Sequence, residues 1–98
     1  MKYVVLFEDD DSFAHMRQQH MAEHLQFLTD SSDTIDAAGP LQDADSASPA
    51  GGIWVVDAQD PAQVRALVEA DPFYPTGLRK SIRILEWTQV FADGRKLI

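Results

Sequence analysis

The chain has 98 residues, no cysteine, and sixteen acidic against eight basic side chains, giving a formal charge of −8. That length makes a single domain, residues 1–98, with a modest core, and the lack of cysteine excludes a disulfide framework and thiolate chemistry and fits a cytoplasmic protein. The acidic balance argues against nucleic acid, which needs a basic face, and no run reaches the ~18 apolar residues of a membrane span.

Met1 leads directly into a strand-like run with no sign of a signal peptide. Lys2 to Glu8 (KYVVLFE) is β-branched and aromatic and predicts a strand. Asp9-Asp10-Asp11-Ser12 follows, and no pattern of oxygen ligands continues after it. Asp11 or Ser12 is therefore expected to cap a helix, with the other charges suited to its positive end.

That helix is predicted from Ser12 to Leu28 or Asp30. At about 100° per residue, Met16, Phe27, Phe13, Leu28, Met21, Ala14 and Leu25 share one arc. His15, Gln18, Gln19 and Gln26 lie opposite. Arg17, His20 and His24 fall inside the apolar arc. Burying such groups without partners costs about 1–3 kcal/mol each, so they are either paired or line a pocket.

Thr34 to Leu41 (TIDAAGPL) predicts a second strand, bent or ended by Gly39-Pro40. Gln42 to Gly52 reads as a long polar hairpin loop, and Gly51 to Ala58 (GGIWVVDA) as a third strand. Asp60-Pro61 supplies a cap and a first-position proline for a helix over Ala62 to Ala70 (AQVRALVEA). Ser81 to Val90 (SIRILEWTQV) predicts the fourth strand, and Asp93-Gly94 a turn in a short tail, residues 91–98.

Strand, helix, strand, strand, helix, strand is the ferredoxin-like βαββαβ order. It predicts an α+β domain with a four-stranded antiparallel sheet and both helices on one face. The strands are apolar on both faces, whereas a sheet with one solvated face should alternate. A second copy packed face to face, a homodimer, would cover the open side; the tail or the long loop folding over it is the other solution.

Asp71 is the second polar anomaly. The helix should end there, because Pro72 disfavours helical geometry in the residue before it. A carboxylate at that end faces the negative pole of the helix and gains from a cation. An imidazole on the neighbouring helix would serve, and topology offers His24 or His20. A carboxylate bonded to one ring nitrogen fixes the tautomer and leaves the other nitrogen for general acid/base work. The competing role for Asp71 is to cap the turn Asp71-Pro72-Phe73-Tyr74-Pro75.

Rival readings attach to the same residues. His20-Met21-Ala22-Glu23-His24 spells the H-x-x-E-H pattern of inverted zinc proteases, but such enzymes need a third protein ligand and a larger scaffold. A divalent-metal site of His20, His24 and Asp71 is a further alternative, as is an inert, hydrogen-bonded core role for one histidine. The expectation is no metal and no organic cofactor, since the chain has no nucleotide-binding glycine pattern. Phe7, Trp54, Phe73, Tyr74 and Trp87 suit either the wall of a pocket for a flat ring or the core and dimer interface.

EHLQFL (Glu23 to Leu28), AAGPL (Ala37 to Leu41), GGIWVVDA, EADPFYPTGL (Glu69 to Leu78) and ILEWTQV occur in order over almost the whole chain. Together they resemble the YCII-related (YciI-like) family. The resemblance implies a ferredoxin-like domain dimerising into an α+β barrel, with a cleft between helices and sheet. It also implies a catalytic histidine before Leu-x-Phe/Tyr-Leu, here His24, and an aspartate before Pro-Phe/Tyr, here Asp71. Many relatives carry an arginine three residues before that histidine, where this chain has Met21; Arg17 and His20 stand nearby as polar groups.

A dehydrochlorinase of this family and the similar muconolactone isomerases act on ring compounds. The implied function is a cofactor-independent lyase or isomerase that moves a proton on a small cyclic or aromatic molecule. His24 would move the proton and Asp71 orient it, with Arg17, His20, Phe73 and Tyr74 binding the substrate. The alternative is a non-catalytic dimer that binds a small ligand in the same cleft or serves as an accessory module.

Overall fold

The computed structural model covers residues 1–98. Its elements are β1 (Lys2–Asp9), α1 (His15–Gln19), α2 (Met21–Asp30), β2 (Ile35–Gln42), β3 (Pro49–Asp57), α3 (Pro61–Ala70) and β4 (Arg79–Glu86). A small hairpin of β5 (Phe91–Ala92) and β6 (Arg95–Lys96) forms the tail. Single 3-10 turns occupy Asp11–Phe13 and Tyr74–Thr76.

Four strands make one antiparallel sheet in the order β2-β3-β1-β4, which is the ferredoxin-like arrangement. The apolar run of β1 is central. Val5 faces Trp54 on β3 and Ile84 on β4, while Phe7 faces Gly52 and Ile82. Because side chains alternate along a strand, Tyr3, Val5 and Phe7 point together into the core with Trp54 and Val56. Val64 and Val68 of α3 close that core, and Phe27 and Leu28 of α2 pack against it. Phe7 and Trp54 meet edge to face at 5.1 Å.

The predicted first helix is divided. His20 leaves helical geometry (φ −111°, ψ 13°) and separates α1 from α2, so the domain has three helices rather than two. No proline or glycine lies in the segment. The break falls between two anchors, Arg17 on Asp9 and His24 on Asp71. The expected side-chain cap is absent from α1, which begins after Ala14 with no capping side chain; the cap present belongs to the 3-10 turn Asp11–Phe13 before it. Asp10, not Asp11 or Ser12, accepts from the Ser12 backbone N–H (3.0 Å) and hydroxyl (2.6 Å), and these bonds hold its carboxyl below the usual range.

The loop after β2 is shorter than predicted, because β3 begins at Pro49. Asp43 closes it by accepting from the backbone of Asp45 and Ser46. Gly51 then passes so close to β1, at φ +89°, that a Cβ there would sit 1.8 Å from the Phe7 carbonyl oxygen. β4 is displaced toward the N-terminus of its predicted range and starts at Arg79.

Asp60 caps α3 by accepting from Gln63 N–H at 2.8 Å, with Pro61 in the first position. The helix ends at Asp71, whose backbone is extended (φ −64°, ψ 131°), as Pro72 requires. On the sheet face opposite the helices, Val4, Ile53, Val55, Leu85 and Trp87 form an apolar patch. No helix is long and apolar enough to cross a membrane.

Candidate active site

His24 is the one buried residue of α2. Its Nδ1 lies 2.8 Å from Asp71 Oδ1, and Asp71 is 2% exposed. The same Oδ1 accepts the Phe73 backbone N–H at 3.1 Å, so Asp71 both caps its turn and meets the imidazole. A carboxylate oxygen engaged by a backbone donor is an acceptor on its other side too. The His24 proton therefore sits on Nδ1, which leaves Nε2 with its lone pair when the ring is neutral. Phe73 stacks on the imidazole (centroids 4.0 Å apart, 12° between planes) and holds its orientation.

His24 opens onto a cavity of about 170 Å³ between the helices and the sheet, with Asp71 behind it. Met21, Leu25 and Leu28 of α2 roof it; Phe7 and Trp54 form the floor; Gly39 and Pro40 close one side. The bend expected at Gly39-Pro40 thus serves as wall, with a register shift in the β2–β3 pairing beside it. An apolar cavity of about 150 Å³ accommodates benzene, so this space suits one substituted ring.

A second charged group completes the wall. Arg79, at the start of β4, has a side chain only 7% exposed and lies 4.0 Å from the Phe7 ring centroid. Its Nη1 donates to Asp9 Oδ1 at 3.1 Å, and Nη2 lies 3.9 Å from Asp71 Oδ2. Arg17 donates to the other Asp9 oxygen. Burial lowers the Arg17 pKa and the nearby Arg79 charge adds to this; burial also lowers that of Arg79, while Asp71 opposes it. A guanidinium ordinarily holds its proton far above neutrality, so both remain cations near neutral pH. Asp71, Arg79, Asp9 and Arg17 form one chain of alternating charge beside the cavity, with His24 hydrogen-bonded to its Asp71 end.

His24, Arg17 and Phe73, expected from the sequence, line the cavity; Asp71 stands behind His24. His20 and Tyr74 do not line it. His20 Nδ1 faces Glu23 at 3.6 Å, and Tyr74 is 42% exposed. His20, His24 and Asp71 do not converge, and no cluster of three His, Cys, Asp or Glu side chains is arranged to hold a metal ion. Asp9 and Arg79 were not anticipated. The available signal was a basic residue immediately after Gly77-Leu78, where β4 returns beside β1.

The YCII-related domain matches residues 1–88. The chain belongs to the YCII-related family. Among solved structures, this YCII-related chain is similar to the 5-chloro-2-hydroxyhydroquinone dehydrochlorinase TftG from Burkholderia phenoliruptrix AC1100, in complex with 2,5-dihydroxybenzoquinone. The TM-score is 0.78 at 25% identity, over 90% of this chain and 94% of that one. A hypothetical protein from Arabidopsis thaliana shares the fold (TM-score 0.53, 13% identity, 94% of this chain and 89% of that one). No curated protein matches the sequence.

Proposed function

We propose that this YCII-related chain is a small-molecule enzyme of lyase or isomerase type that moves a proton on a single-ring compound. His24 Nε2 takes the proton from a ring carbon or hydroxyl. In an isomerase it returns that proton elsewhere on the molecule. In a lyase the electron pair left on the ring breaks the bond to a leaving group such as chloride, which departs to solvent, and the proton is later released from the imidazole. Asp71 holds the imidazole in the tautomer that makes Nε2 the base. The observation that carries this reading is the 2.8 Å contact between two buried groups, His24 and Asp71, beside a cavity of ring size. The similarity to TftG, whose name and bound ligand are those of hydroxylated ring compounds, supports the choice of substrate class.

The working form in this proposal is a homodimer. The apolar face of Val4, Ile53, Val55, Leu85 and Trp87 would pack on the same face of a second copy, as an isologous interface requires. His24→Gln tests the chemistry. With 5-chloro-2-hydroxyhydroquinone as first substrate, followed by other chlorinated phenols and lactones, the variant should lose turnover by a factor of about 10² or more while remaining folded, with a lower melting temperature because Asp71 loses its partner. Full activity in that variant removes His24 as the base. Binding by the wild-type protein without turnover of any of these compounds makes the cavity a binding site alone.

A further inference from the structure

Arg79 is unusual in how few of its donors are used. A guanidinium has five N–H donors. Here one hydrogen bond is made, from Nη1 to Asp9. Nη2 stops 3.9 Å short of Asp71, beyond hydrogen-bond reach, and Nε is buried with no partner. The side chain is 93% buried, being 7% exposed, so water does not satisfy these donors freely. Phe7 at 4.0 Å and Phe73 at 5.2 Å fix the guanidinium in place. Arg79 shares the cavity wall with His24.

We propose that Arg79 is the anion-holding residue of the cavity, donating to an ionised oxygen of a single-ring ligand, so that the site selects phenolates, enolates and hydroxyquinone anions over neutral rings. This deepens the proton-transfer reading and rests on it for the class of ligand. Asp9 and Asp71 balance Arg17 and Arg79 one for one, so the wall is neutral when His24 is neutral. When a ligand proton passes to His24 Nε2, the electron pair stays on the ligand and its oxygen becomes negative. The imidazolium and the guanidinium then flank that charge, with fixed donors waiting where it develops. Arg79 is suited to this because its planar fork stays charged and, held between aromatic rings, loses little freedom on binding.

The test uses 4-nitrophenol, whose ionised form has its own absorption band, and the neutral ether 4-nitroanisole. Bound to the wild-type protein, 4-nitrophenol should ionise at a pH about one unit lower than in solution, a tenfold preference for the anion. The ether should bind at least tenfold more weakly, a comparison that needs no variant. Arg79→Met should abolish the preference, Arg79→Lys should keep part of it, and His24→Gln should retain most of it. Equal binding of phenol and ether, binding of neither at millimolar concentration, or an unchanged preference in Arg79→Met overturns the inference. Loss of the preference in His24→Gln does so too, since the anion would then be held by the imidazole. Turnover of ring compounds without anion preference would leave the proton-transfer reading standing and sink this one; preference without turnover would do the reverse.

Discussion

At the scale of single residues, the site is a problem in buried charge. Asp71 is nearly inaccessible and sits at a helix end that repels a carboxylate; His24, the Phe73 N–H and the charge of Arg79 compensate it. One expected result is that, in the ¹⁵N spectrum at alkaline pH, His24 shows a protonated Nδ1 and a bare Nε2. Asp71→Asn should disturb that tautomer preference, and an Nε2-protonated ring in the wild-type protein would contradict the assignment. Asp9 carries a comparable load, being the shared partner of Arg17 and Arg79 with a side chain 13% exposed. Asp9→Asn should cost about 3 kcal/mol in urea unfolding, as expected when one partner of a buried ion pair is removed; a loss under 1 kcal/mol would show that the network is dispensable. His24 and Arg17 were legible in the sequence because a polar group in an apolar helical arc needs a partner or a pocket. Arg79 was not. A basic residue at the start of a strand looks like any solvated strand end, and only the return of β4 beside β1 brings it to Asp9. His20 showed the same signal as His24, yet the helix breaks at that residue and its side chain stays off the cavity wall.

At the scale of elements, local patterns placed the strands and the second helix well. Asp60-Pro61 predicted both the cap and the start of α3, and Asp60→Ala should cost about 1 kcal/mol through the loss of the Gln63 N–H bond. The division of the first helix was illegible because nothing in Ser12 to Leu28 disfavours helix; tertiary anchors on Asp9 and Asp71 straddle the break. Gly51 belongs to the same class of hidden constraint, since its positive φ comes with a backbone approach to Phe7 that only the paired strands create. Gly51→Ala should lower stability by about 3 kcal/mol or prevent folding, and a neutral result would refute that close approach. Tyr3 gives β1 a sensitivity to alkali. Its hydroxyl is buried without a partner, and burial, with smaller contributions from Glu86 and Asp60, raises its pKa. An unfolded tyrosine ionises near about 10, so the folded state loses stability as pH rises from there through the higher folded value. Tyr3→Phe should remove that loss, seen as a smaller difference in denaturation midpoint between pH 9 and pH 11.

At the scale of the whole molecule, the order of elements and the two-faced strands determined most of what could be foreseen. Strand order β2-β3-β1-β4 and helices on one face followed from chain order and crossover handedness. The other face leaves Leu85 and Trp87 exposed among apolar neighbours. Sedimentation should give twice the chain mass of 10.9 kDa, and Val55→Lys should halve it by placing a charge at the centre of the interface; a wild-type monomer would remove the homodimer. The most direct test of the account is a crystal structure with 2,5-dihydroxybenzoquinone. The ring is predicted to lie between α2 and the sheet, with an atom about 3 Å from His24 Nε2. A ring seated on the open sheet face, or one that leaves Nε2 without a contact, would contradict it.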